Sequence, residues 1–243
     1  MEGPSKVEIG EPFAFEITVK NTGEQPGTLR ADLYSKTPDS QWERGVEWEI
    51  GPVDGGETAT VASEKASIDH LTKATYRLGT SDITYTVQTV SKSLSWGQTY
   101  TSPENFTISV DNLTLQESYE YRNFADEVDD ARPEAGSDQW AFIDVTVTND
   151  SGEPGFSPVS SDFVILAGNS QYNSESVVFD DPINKGTPFE GGELQPGVTR
   201  SGWVLYSVPL SIAPEDMTVA WSKSTFDGDI SVNWSGDPDS PGD

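Results

Sequence analysis

The chain has no cysteine. That excludes disulfides, thiolate metal sites and cysteine nucleophiles. It has one histidine, His70, so a zinc site built on histidines is excluded by count. Cations are scarce as well: 14 Lys+Arg stand against 41 Asp+Glu, giving a formal charge of −27 and a pI of about 4.1. A surface of that sign repels nucleic acids and anionic lipid headgroups, so neither is an expected partner. No apolar run approaches the ~18 residues that span a bilayer, so no transmembrane segment is expected. No signal peptide is visible. Met1-Glu2-Gly3-Pro4-Ser5 leads almost directly into the first strand, and the expectation is a chain whose targeting segment has been removed.

Aromatic residues make up 10% of the chain and include seven Trp, enough to build cores. Strong acidity in a chain poor in aromatics would instead indicate disorder. The acids are spread over turns and along one side of several strands. That distribution fits a salt-adapted surface, on which concentrated salt screens the repulsion.

The apolar pattern has period two. In EPFAFEITVK, Phe13, Phe15, Ile17 and Val19 share one face. In QWERGVEWEI, Trp42, Val46, Trp48 and Ile50 do the same, opposite Glu43, Glu47 and Glu49. Such alternation marks half-buried strands. About seven short strands precede Ser91, separated by turn signals such as Gly51-Pro52 and Asp54-Gly55-Gly56. SKSLSWGQTYTSPE then breaks the pattern and reads as a linker able to donate a short strand. Strands resume with FTISVDNLTL, WAFIDVTVTN, DFVIL, GWVLYSV, MTVAW and DISVNW. The acidic stretch from Tyr119 to Asp138 reads as a turn-rich connection holding at most one helical turn.

Two stretches recur. ITVKNTGEQPG (Ile17 to Gly27) is echoed by VTVTNDSGEPG (Val145 to Gly155), and GPVDGGETATV by ELQPGVTRSGWV. A plan spelled twice implies two cores. The expected fold class is all-β: two tandem immunoglobulin-like β-sandwiches, at 1–91 and 102–235, with a linker at 92–101 and a disordered tail at 236–243.

The first half resembles the CARDB-type (cell-adhesion-related) domain in Val7-Glu8-Ile9-Gly10-Glu11-Pro12, ITVKNTGEQPG and GGETATV. The second half is similar to the telokin-like, immunoglobulin-like domain of unknown function of many secreted lipoproteins. WAFIDVTVTNDSGEPG, SSDFVIL and LQPGVTRSGWVLYSVP carry that likeness. With this acidity, the pairing looks like a surface lipoprotein of a halophilic archaeon. Such proteins carry a lipid-modified Cys near the start; this chain has none, so a lipid anchor upstream is implied by the resemblance alone.

Chemistry-bearing groups are sparse. His70 lies in SIDHLTKAT, with no GxSxG elbow to pair with, and reads as a solvated loop histidine. No carboxylate pair stands out for acid/base work. No metal is assigned, although Asp126, Glu127, Asp129 and Asp130, and separately Asp227 and Asp229, are calcium candidates as hard oxygen ligands on tight loops. Trp42, Trp48, Trp140, Trp203, Trp221 and Trp234 read mainly as core, the alternative being an exposed row that stacks on sugars. Sequons fall at Asn105, Asn112, Asn149 and Asn233 and matter only for an exported chain. No catalytic residue and no cofactor are assigned. The expected function is a non-enzymatic surface or extracellular spacer and interaction protein with a protein or envelope-polysaccharide partner. A carbohydrate-binding module and a carboxylate-based glycosidase are the alternatives.

The charge makes the first prediction. Melting temperature should rise strongly from dilute buffer to molar KCl, because ~1 M salt shortens the screening length to about 3 Å. A calorimetric melt that stays constant over that range would contradict a salt-adapted surface.

Overall fold

The structure is a computed structural model and describes residues 1–123, 125–175, 182–183 and 185–236. Apart from Gly236, the expected tail lies outside the described residues. The chain forms two compact units. The first holds Met1–Lys92 and Ser224–Ser231; the second holds Ser93–Lys223 and the residues from Val232 on. Among the described residues no helix is long and apolar enough to cross a membrane.

The first unit contains β1 (Lys6–Glu8), β2 (Glu16–Lys20), β3 (Gly27–Lys36), β4 (Glu43–Val53), β5 (Thr58–Ala62), β6 (Lys73–Leu78) and β7 (Thr84–Val90). Five strands form a sheet in the order β1-β7-β6-β3-β4, while β2 and β5 form a second sheet by themselves. Alternation along residues 13–17 sends Phe13, Phe15 and Ile17 to one face of the small sheet. They bury there with Ile50, Val53, Ala74, Tyr85 and Val87 of the large one. The result is a β-sandwich with unequal layers. At about 4.8 Å per strand, two strands cannot cover five. The large sheet's inner face is therefore left partly bare at the β3–β4 end, where Leu29 and Val46 are exposed.

β8 (Lys92–Ser95) straddles the boundary between the units and β9 (Thr99–Thr101) follows it, so residues 92–101, expected as a linker, carry two strands. Both are edge strands: one sheet runs β16-β15-β19-β20-β8 and the other β18-β13-β10-β9. An edge strand packs on few neighbours and needs no apolar alternation, which is why this stretch reads as linker. The other strands are β10 (Phe106–Gln116), β11 (Tyr119–Arg122), β12 (Val128–Ala131), β13 (Asp138–Asn149), β14 (Gly155–Ser157), β15 (Phe163–Ala167), β16 (Ser170–Asn173), β17 (Gly192–Leu194), β18 (Thr199–Pro209), β19 (Met217–Ser224) and β20 (Asp229–Ser235). Ile108, Val145, Val147, Tyr206 and Val208 of one sheet and Phe163, Ile165, Trp221, Val232 and Trp234 of the other are buried. Each such side chain contributes roughly 1.5–3 kcal/mol of burial. The acidic connection holds no helical turn among its described residues; β11 and β12 form a hairpin. A second apolar cluster of Tyr119, Phe142, Trp203 and Leu205 includes this hairpin's Tyr119.

The recurring stretches build the same object. In the first, the Asn21 side-chain amide donates to the carbonyls of Gln25 (2.8 Å) and Val53 (2.8 Å) and accepts from Gly23 N–H (2.9 Å). In the second, the Asn149 amide donates to Glu153 (2.9 Å) and Leu194 (2.8 Å) and accepts from Ser151 N–H (2.9 Å). Gly27 pairs in register with Val53, and Gly155 with Leu194. The backbone continues the match: Asn21 N–H donates to Glu57 and receives Gly56 N–H on its carbonyl, as Asn149 does with Val198 and Gly197. Gly56 and Gly197 both take positive φ, +81° and +72°, a conformation L side chains resist. The two pairs of echoes are thus the two halves of one clasp, built twice.

Asn149 is fully buried, whereas Asn21 is half-buried. Asn149→Ala should therefore cost about 3 kcal/mol, since it removes two donated bonds and strands a buried carbonyl. Asn21→Ala should cost only about 1–2 kcal/mol, because water reaches its partners. Denaturant midpoints in molar salt measure both, and equal losses would contradict the difference in burial.

Candidate functional site

The residues singled out in the sequence are not brought together. The His70 carbonyl accepts from Thr89 Oγ1 (2.7 Å), and its imidazole is half-buried against Gly228 rather than solvated. Gly228 stands at φ +144°, and a Cβ there would lie 2.6 Å from the His70 ring. Among the described residues the ring bonds to no hydroxyl or carboxylate.

Asp126 pairs with Arg122 at 3.2 Å. Asp129 and Asp130 fall on β12, where neighbouring side chains point to opposite faces. Asp229 accepts from Ser224 Oγ (2.7 Å). Among the described residues no group of three or more His, Cys, Asp or Glu is placed to hold a metal.

One sequon fails outright. The Asn149 side chain is buried with both donors engaged in the clasp, so no glycan can be attached to it in the folded chain. Asn105 and Asn112 are exposed, and Asn233 is half-buried.

No Trp is exposed. Trp203, Trp221 and Trp234 are buried and the other four are half-buried, among them Trp96, which the sequence reading passed over. The Trp42 face is covered by the Arg77 guanidinium at 4.2 Å and by Lys36 at 5.0 Å. The flat exposed row that sugar stacking requires is not formed.

In the first unit, β5 and the bare end of the large sheet leave a groove of about 450 Å³. Phe15, Leu33, Trp48 and Tyr76 line it as a continuation of the core, with Val46 and Val61 at its edges. The Phe15 and Trp48 rings are stacked, 6.2 Å apart and 8° from parallel. Burial pushes the Tyr76 phenol pKa up, consistent with a mainly apolar wall. Glu64 and Lys65 border the groove, while Glu47 and Glu49, in β4 beside it, alternate to the face opposite Val46 and Trp48. On that outer face Glu49 pairs with Arg30 at 3.0 Å, and Asp32 with Arg44 at 2.8 Å, whereas Glu64 has no ion pair among the described residues. Such a site can bind apolar groups and cations.

A smaller cavity of about 290 Å³ sits on the second unit, lined by Asp144, Thr146, Lys185, Thr187, Ser201 and Trp203. Lys185 Nζ donates to Thr114 Oγ1 (3.1 Å) and rests 4.2 Å from the centre of the Phe142 ring. Burial lowers its pKa, against the pull of Asp144.

The family of domains of unknown function called DUF4352 matches residues 78–229. The chain belongs to that family. Among solved structures, the yjhA protein from Bacillus subtilis is 20% identical, with 58% of this chain and 99% of that one covered at a TM-score of 0.40. An uncharacterized beta-sandwich protein from Clostridium difficile 630 is 16% identical, with 60% and 94% covered at 0.39. A conserved hypothetical protein from Bacillus anthracis is 13% identical, with 51% and 87% covered at 0.35. No curated protein matches. The all-β sandwich assignment rests on the strand pairing described above. The family's description names no activity.

Lys185 yields a chemical prediction. An amine with a lowered pKa is neutral, and so nucleophilic, at lower pH than a free lysine side chain. Acylation of Lys185 by an amine-reactive ester, followed by peptide mass spectrometry, should rise at lower pH than that of Nα-acetyl-lysine in the same tube. A coincident or later rise would contradict the lowered pKa.

Proposed function

We propose that the protein is a non-enzymatic interaction module and spacer, working at the surface of, or outside, a salt-adapted cell. The observation that carries this reading is the groove of the first unit. It is a preformed, mainly apolar surface, and among the described residues no group of three or more His, Cys, Asp or Glu is placed there to hold a metal. Proteins of moderate size rarely leave core-grade side chains uncovered without a partner to cover them.

The likeness of the first half to CARDB-type domains supports an adhesive or scaffolding role, as an analogy of fold. The charge of −27 supports work in brine, and the resemblance of the second half supports a lipoprotein setting. In an exported chain, Asn105 and Asn112 would be the exposed glycan acceptors. The carbohydrate-binding alternative loses its main support, since no Trp is presented for stacking.

Capture experiments test the reading. The full chain, immobilised in molar KCl, should retain a protein or polysaccharide from a salt-adapted cell envelope. Val46→Asp should abolish retention without unfolding the chain, because Val46 is 63% exposed. Hydrolysis of glycan, ester or peptide substrates that disappears on changing one Asp or Glu to its amide would overturn the non-enzymatic reading.

A further inference from the structure

The two units carry the same clasp but treat the strand after it differently. Alignment through Glu57 and Val198 makes Thr58–Ala62 of β5 equivalent to Thr199–Trp203 of β18. Each is the terminal strand of its sheet. In the second unit the outward edge of β18 is occupied by the chain itself. Trp203 N–H donates to the Thr187 carbonyl (3.3 Å), and Phe189 N–H donates to the Trp203 carbonyl (2.8 Å). The bridge is parallel, through Pro188. It seats Phe189 in the core, 2% exposed and edge-on to Phe163 at 6.0 Å. Gly202 makes room: a Cβ there would lie 2.6 Å from the Phe189 backbone.

The residue equivalent to Trp203 is Ala62. Ser63 N–H donates to Phe15 (2.7 Å), and Asn21 N–H donates to Glu57 (2.9 Å), so odd-numbered residues of this strand face β2. The N–H and C=O of Thr60 and Ala62 must then point away from β2. Among the described residues no segment pairs with them. Beside this open edge lies the groove lined by Phe15, Leu33, Trp48 and Tyr76.

We propose that β5 accepts an extended segment of a partner protein, in the manner in which β18 accepts Thr187–Phe189. This rests on the interaction reading above and specifies its partner. The segment hydrogen-bonds to the N–H and C=O of Ala62 and sends one aromatic or large aliphatic side chain into the groove. Its flanking residues are Lys or Arg, because the chain carries −27 and Glu64, at the groove's border, has no ion pair among the described residues. A second copy of this chain is a poor occupant, since each copy carries −27. Open strand edges are ordinarily blocked against pairing. Here the edge lies beside apolar surface that a bound strand would cover.

The test uses the full chain and a synthetic peptide about ten residues long, with a central Pro-Phe between Thr and Lys residues. Titration should give saturable binding that weakens as KCl rises. Replacing the peptide's Phe by Ser, or its Lys by Glu, should weaken binding by about tenfold or more. Amide exchange followed by NMR should slow at Thr60 and Ala62 on binding. Ala62→Pro removes an outward N–H, a substitution that edge strands tolerate, and should abolish binding. Binding that leaves the Ala62 amide unprotected overturns strand addition, whether or not the proline variant folds. If no peptide binds while envelope capture persists and is lost in Val46→Asp, strand addition falls and the interaction module stands. If capture fails as well, both fall.

Discussion

Each unit depends on one side-chain amide. Where a strand ends and turns towards the opposite sheet, its backbone partners are lost and must be replaced. Asn21 and Asn149 replace them at a single point. One amide closes its own turn, through the carbonyls of Gln25 or Glu153, and reaches a strand beyond, through Val53 or Leu194. Asp cannot donate, and Gln would hold the same group on a longer and looser stem. The clasp also places Gly27 opposite Val53 and Gly155 opposite Leu194, and in the first unit a bulge between Gly27 and Leu29 then resets the register of β3 against β4.

From that shared frame the units diverge in how they cover themselves. The second faces a five-stranded sheet with a four-stranded one and closes its edge with Thr187–Phe189. The first faces five strands with two. The difference leaves core-type residues, Leu33, Trp48 and Tyr76, only partly covered. Solvent is then the covering medium for surface that elsewhere in this molecule is covered by chain. Molar salt raises the cost of that exposure, because it strengthens apolar association while it screens the carboxylates.

Much of this was legible in the sequence. Period-two alternation identified the faces of residues 13–19 and 143–147, and the repeated Asn and Gly marked the clasp's position. The role of the Asn was not legible, because its partners lie 32 and 45 residues away. For the same reason Asn149 reads as a glycan acceptor when it is a buried donor. Residues 92–101 read as linker because edge strands carry no alternation. The hairpin of β11 and β12 was hidden by its acids, Glu120, Asp129 and Asp130, which are exposed and interrupt the apolar alternation. The candidate site was the least legible part. Val46, Trp48 and Phe15 have the pattern of ordinary core residues, and only the number of strands opposite them leaves some uncovered.

Recognition through a strand edge also accounts for the silence of the sequence about function. A catalytic or metal site needs particular side chains in a particular geometry, and those leave motifs. A β-edge presents N–H and C=O groups that every residue but proline possesses. Its specificity comes from a pocket of core-like residues and a border of charges, both common in a chain with 41 acids. What distinguishes β5 is a relation between residues: Ala62 turned outward, no neighbour beyond it among the described residues, and an apolar groove alongside. That relation exists only after the clasp has closed and the strand count has left the edge open. A function carried this way has its determinants in topology, where reading along the chain does not reach.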